Sequence, residues 1–235
     1  MSPTDLENLI QQLWKQASKS RLNGQWPQAI KLYTRIIKLA PRFAPAYVQR
    51  GLLINEMGNH EKALADFEFA IKIDPKYGFA YYGRGWIRDR RGDYDGALQD
   101  AKKGLLLDRE NAGMYYRRIG SAYKGLKRYD EAIDAYNEAI KLNSDTDEGT
   151  LYNRGLCYTE MKEYSLALTD LNRSLELDPD WAWAFAARGN VFLKLEQYEQ
   201  AIVDCMDAIK YHPTYLNSYI TLGLAYLGLM KKKRR

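Results

Sequence analysis

Apolar positions recur with a helical period along the whole chain, and the arrangement itself repeats every 34 or 35 residues. Glycines fall at 51, 85, 120, 155, 189 and 223, and Ala17 holds the same place one period earlier. Twelve residues after each of the first six of these seven places stands an alanine: Ala29, Ala63, Ala97, Ala132, Ala167 and Ala201. Four residues before each of the seven stands a large apolar residue: Leu13, Tyr47, Tyr81, Tyr116, Leu151, Phe185 and Tyr219. Prolines at 41, 75, 179 and 213 close four of the periods; Arg109 and Ser144 stand at that place in the other two. The spacing predicts two amphipathic helices of about 14 residues per period, joined by a short turn. Small residues let the two helices approach, and proline ends the second helix or begins the next because it has no N–H to donate. Such a pair cannot bury its apolar face alone, so the pairs stack.

Charge changes this picture little. The chain of 235 residues carries 35 Lys and Arg against 30 Asp and Glu, but five of the basic residues are the final "KKKRR". The body is therefore balanced, which argues against a broad phosphate-binding face and makes nucleic acid an unlikely partner. Cys157 and Cys205 fall in apolar helical patterns and form neither a disulfide framework nor a metal set. Ser2, Pro3 and Asp5 fit a helix start rather than a leader peptide. No apolar run approaches the ~20 residues of a membrane span. A cytoplasmic protein without a membrane segment is expected.

The period at 44–77, with Tyr47, Gly51, Ile54, Ala63, Phe67, Ala70 and Pro75, resembles the tetratricopeptide repeat. In that register the repeats occupy 10–43, 44–77, 78–111, 113–146, 148–181 and 182–215. Residues 1–9 extend the first helix, and 216–235 form a further helix with the basic tail. Ankyrin units carry a signature absent here, and armadillo units are longer. Pentatricopeptide units, which read RNA, fit poorly with a neutral body. The resemblance implies an all-α fold, a right-handed superhelical solenoid of antiparallel helix pairs. It also implies a non-catalytic adaptor or scaffold that binds a peptide or partner segment in a concave groove lined by first helices. The alternatives are a nucleic-acid-binding helical repeat and an interaction domain of a larger enzyme or assembly.

At the seventh place of the repeats stand Gln16, Arg50, Arg84, Ile119, Arg154 and Arg188. Sixteen residues later stand Leu32, Asp66, Asp100, Ala135, Asp170 and Asp204, so aspartate occurs only where arginine does. This matching predicts four structural ion pairs, within a repeat or between neighbours, bidentate if geometry allows.

Groove-facing places implied by the resemblance hold Trp14, Val48, Phe79, Tyr82, Trp86, Arg90, Arg117, Lys124, Tyr152, Leu156, Trp183 and Asn190. Trp86 and Trp183 are the expected exposed anchors. Arg90, Arg117 and Lys124, flanked by aromatics, point to a peptide that is acidic or offers a free C-terminal carboxylate. The chaperone-tail clamp of this family is matched only loosely, by Arg117 and Asn153. Trp183 and Ala187 stand where its last two basic residues belong, so that mode is not expected. In the third repeat Arg88 replaces a buried aromatic, Ala101 replaces the usual ring, and the joints around the fourth carry extra residues. The helix from 216 is apolar over much of its circumference, which makes Ile220, Leu224 and Leu227 candidates for self-association as a homodimer. His60 is placed in a turn and His212 in a loop, and no nucleophile, phosphate-loop or metal-spaced motif appears, so no enzyme activity, cofactor or metal is expected.

Overall fold

A computed structural model describes residues 2–142 and 147–234; Ser144, and Arg235 of the basic run, lie outside the described residues. Thirteen helices lie among them: α1 (Pro3–Leu22), α2 (Trp26–Leu39), α3 (Ala44–Glu56), α4 (His60–Ile73), α5 (Gly78–Arg90), α6 (Tyr94–Leu107), α7 (Ala112–Gly125), α8 (Tyr129–Leu142), α9 (Glu148–Glu160), α10 (Tyr164–Leu177), α11 (Ala182–Lys194), α12 (Tyr198–Tyr211) and α13 (Leu216–Lys233). Local chemistry marks their ends. Ser2 and Asp5 form a reciprocal capping box around Pro3, and the side chains of Asn59, Asp93 and Asp147 accept from the first turns of α4, α6 and α9. His60 is not in a turn: it opens α4, and its Nδ1 lies 2.8 Å from Asn55 Oδ1.

The chain divides into two compact units, Met1–Leu126 and Lys127–Arg235. Within each, every helix packs against its successor in the chain. The odd-numbered helices also touch one another, α3 with α5 and α5 with α7 in the first unit, α9 with α11 and α11 with α13 in the second. This is the stacked helix-pair class expected from the repeat.

The Gly–Ala contact shows why small residues recur. A Cβ on Gly51 would lie 2.9 Å from the Phe67 ring, while Ala63, Phe67 and Ala70 are completely buried beneath it. The period-closing prolines at 41, 75, 179 and 213 follow second helices rather than begin first ones. Their carbonyls at Pro41, Pro75 and Pro213 accept from the hydroxyls of Tyr47, Tyr81 and Tyr219 at 3.1, 3.1 and 2.8 Å. Pro179 is followed by Phe185, which has no hydroxyl to donate.

Each of the four arginines closes a two-pronged fork on the aspartate of its own repeat. Arg50 Nε and Nη2 donate to Asp66 at 2.8 and 2.6 Å, and Arg154 does the same to Asp170 at 2.7 and 2.6 Å. Arg84–Asp100 and Arg188–Asp204 repeat this geometry. A third prong reaches the preceding second helix: Arg50 Nη1 donates to Thr34, Arg154 Nη1 to Asn137 and Arg188 Nη1 to Asn172. One guanidinium thus ties three helices. The hydrogen bonds they donate to the aspartate hold Arg50, Arg84 and Arg154 above the ordinary arginine value.

The third repeat departs from this scheme by substitution in kind. Arg88 turns to the same aspartate, its Nη1 3.0 Å from Asp100 Oδ2. On the same helix as the small Ala101, Gly104 takes the fully buried Tyr115 of α7, whose ring a Cβ there would meet at 2.2 Å.

After each of α1, α3, α5, α7, α9 and α11, one residue adopts a left-handed backbone. The first unit uses glycine, at Gly24, Gly58 and Gly92; the second uses Lys127, Lys162 and Glu196. A side chain at such a φ costs roughly 1 kcal/mol. Lys162→Gly is therefore expected to raise stability by up to about 1 kcal/mol, read as a higher denaturant midpoint. Arg154→Ala leaves the buried Asp170 unpaired and is expected to cost about 3–5 kcal/mol. Arg154→Lys, which keeps charge but loses the fork, should fall between. Equal midpoints for Arg154→Ala and parent in urea titrations followed by circular dichroism would refute the structural role.

Candidate functional site

In the first unit, α5 and α7 present a cluster of rings and guanidiniums. Tyr82 and Trp86 lie one turn apart on α5. The Arg118 guanidinium sits 4.8 Å from both ring centroids, and its Nη2 donates to the Tyr82 hydroxyl at 3.0 Å. Arg117 reaches the same hydroxyl at 3.5 Å. Burial would push the Tyr82 hydroxyl up, but the two guanidiniums together outweigh it and hold it below the ordinary phenol range. Beside them Ser121 Oγ donates to Asp89 at 3.1 Å, Lys124 is half-buried and Arg90 is exposed.

Arg118 is the residue that sequence reasoning missed here. The sixth place of the other repeats holds Lys15, Gln49, Gly83, Asn153 and Ala187, so nothing periodic singles it out. Its signal is a cation one period after an aromatic pair. Three expectations for the groove are corrected. Trp86 is half-buried beneath Arg118 and is not an open anchor. Val48 is fully buried among α3, α4 and α5 because its helix face meets both neighbours. Trp14 packs edge-on against Tyr33 and Phe43, 5.3 and 5.6 Å away, within the core of α1 to α3. Phe79 is half-buried against Tyr77, at 6.0 Å.

In the second unit, α9, α11 and α13 enclose a cavity of about 330 Å³. Four residues expected on the groove line it: Tyr152, Leu156, Trp183 and Asn190. Ala186 and Ala187 of α11 also line it. Tyr215, Asn217, Ile220 and Thr221, from the start of α13, close the far wall. None of the lining side chains is charged. Tyr152 stacks obliquely on Trp181 at 4.8 Å, and burial, with a smaller contribution from Tyr215, pushes its hydroxyl up to about 12. Trp183 is 41% exposed and rests edge-on against His212, 5.0 Å away, so this tryptophan does present an open face. Asn153 turns back along its own helix instead, its amide donating to the Gly149 carbonyl at 2.7 Å, and it does not line the cavity. Tyr215 and Asn217 were missed because one ends the sixth repeat and the other lies beyond it, neither at a groove-facing place of the six repeats.

The remaining chemistry is structural. Cys157 and Cys205 are free and buried, and burial pushes the Cys205 thiol up to about 12. Among the described residues no group of His, Cys, Asp and Glu could hold a metal ion, and no helix is long and apolar enough to cross a membrane.

Comparison with known proteins follows the same repeat. Two tetratricopeptide repeat family models match, one at residues 23–78 and 56–111, the other at 114–145 and 150–180. Heat shock protein STI1 of Saccharomyces cerevisiae is 36% identical over 87 residues, 37% of this chain and 15% of the yeast protein. The chain spans about a sixth of the length of such curated relatives, the wheat Hsp70-Hsp90 organizing protein included at 16%. Among solved structures, the anaphase-promoting complex hetero-tetramer Cut9-Hcn1 superposes with a TM-score of 0.85 at 18% identity, covering 92% of this chain and 42% of that one. YrrB, described as having an unusual peptide-binding site, has a TM-score of 0.57 at 25% identity, covering 80% and 95%. With its matches covering well over half its residues, the chain belongs to the tetratricopeptide repeat family.

Proposed function

We propose that this chain is a non-catalytic adaptor that holds an extended peptide segment of a partner protein against the exposed faces of its first helices. The observation that carries this reading is the cavity bounded by Tyr152, Leu156, Trp183 and Asn190. Its volume and uncharged aromatic walls suit one large apolar side chain of the peptide. Asn190 and Asn217 each carry a donor and an acceptor at its margin, the pair of groups that a peptide main-chain amide requires. The likeness to YrrB, whose description includes a peptide-binding site, supports the same mode.

The cluster on α5 and α7 supports a second preference within this reading. Arg117, Arg118 and the exposed Arg90 supply positive charge beside Tyr82 and Trp86, which suits an acidic peptide or a C-terminal carboxylate. Electrostatic attraction of this kind is screened by salt, whereas filling the cavity is not.

An unbiased peptide-library selection on the purified chain tests both. Peptides with a large apolar residue are expected to enrich, and Trp183→Ala should weaken them about tenfold or more, the loss typical of a buried anchor. Arg117→Glu with Lys124→Glu should remove acidic peptides while leaving apolar selection intact. If parent and Trp183→Ala select the same peptides with equal affinity, the cavity is not the binding site.

A further inference from the structure

Helix α13 carries a face that the described structure leaves uncovered. Its buried residues, Ser218, Thr221 and Ala225, are small and lie on one side. On the opposite side Gly223 holds the repeat's glycine place, yet a Cβ there would find nothing within 4 Å, whereas its counterparts Gly51 and Gly155 would press on Phe67 and Leu171. Around Gly223 the exposed residues are arranged symmetrically along the helix. Leu216 and Met230 lie seven positions to either side, Tyr219 and Leu227 four, and Ile220 and Tyr226 three. At 3.6 residues per turn all six fall within about 60° of Gly223. Each is between 45% and 67% exposed.

We infer that this face docks a second copy of the same helix, antiparallel, crossing at Gly223. A two-fold axis there sets Leu216 against Met230 of the second copy, Tyr219 against Leu227 and Ile220 against Tyr226, apolar against apolar throughout. Self-complementarity of this kind is what an isologous interface demands. Gly223 at the crossing lets the two backbones approach, as glycine does inside the repeats. Charge selects the direction. No charged residue occurs from 213 to 230, and Lys231, Lys232 and Lys233 follow directly. A parallel pair would crowd these cations together, whereas an antiparallel pair sets them at opposite ends and aligns the helix dipoles favourably. Leu224 flanks the face, and Ile220 also lines the cavity of the peptide reading; the pairing does not depend on that reading.

Sedimentation analysis of the full chain over a wide concentration range tests the inference. A reversible monomer–dimer equilibrium is expected. Gly223→Arg, whose Cβ meets open space in the monomer, should abolish it without changing the circular dichroism spectrum. Geometry is read by disulfide trapping, since Cys157 and Cys205 are buried. Gly223→Cys should cross-link to itself across the axis, while Met230→Cys should cross-link only when mixed with Leu216→Cys. A monomer at every concentration overturns the inference, whether or not α13 then binds lipid vesicles or another protein. Self-cross-linking of Met230→Cys also overturns it, because that is the parallel arrangement.

Discussion

A helix pair held together at a Gly–Ala contact leaves apolar flanks on both sides, and only the neighbouring pairs can cover them. The remaining features serve this constraint. Gly51 has no room for a Cβ because the Phe67 ring fills the space that closes the pair. The Arg–Asp fork then locks the pair to its predecessor: its third prong lands on Thr34, Asn137 or Asn172 of the helix before. A guanidinium is suited to this work because its donors form a rigid planar fork, so one side chain can satisfy two carboxylate oxygens and still offer a further N–H. Buried aspartate is tolerated at these places because both of its oxygens are occupied.

Departures from the repeat are compensated locally rather than left as defects. In the third repeat the usual ring on α6 gives way to Ala101. Tyr115 of the following helix is buried nearby, in room made by Gly104. Arg88 stands where an apolar ring is expected, but Asp100 is already a carboxylate with lone pairs to spare and accepts it. The same helix, α5, carries Tyr82 and Trp86 on its other side, where Arg118 covers them. The segment that bends the repeat's rules therefore also carries the two rings of the first unit's aromatic and guanidinium cluster. This coincidence fits the general tendency of sequences to break local rules at functional places.

Two chemically distinct surfaces follow from one scaffold. In the first unit, cations over aromatic faces make a polarised surface that answers to charge. In the second, rings and carboxamides surround a neutral cavity, the surface we propose for an apolar side chain of a peptide. Both sit on odd-numbered helices, α5 and α7 in the first unit and α9, α11 and α13 in the second, which touch one another within each unit. The repeat supplies the positions, and the residues that vary between repeats supply the chemistry.

The sequence by itself determined the helix count and pairing, the small-residue contact and that the four arginines pair with aspartates, because these depend on short, regular spacings that the periods restate. That each fork closes within its own repeat was decided by the tertiary structure. Arg50 and Asp66 could be matched as columns without coordinates. What the matched columns left unsaid was that the same guanidinium also reaches back to the preceding repeat, where Thr34, Asn137 and Asn172 share one repeat place. Groove residues were legible only in part. Tyr152, Leu156, Trp183 and Asn190 converge as their places suggested, but Val48, Trp14 and Trp86 are buried or covered. Whether a first-helix residue meets solvent or a neighbour depends on the size of side chains 30 or more residues away, as Arg118 over Trp86 shows. Tertiary structure alone decided that, and it alone closed the cavity with Tyr215 and Asn217, because a wall is made by whichever helix packs next, not by the helix that carries the site.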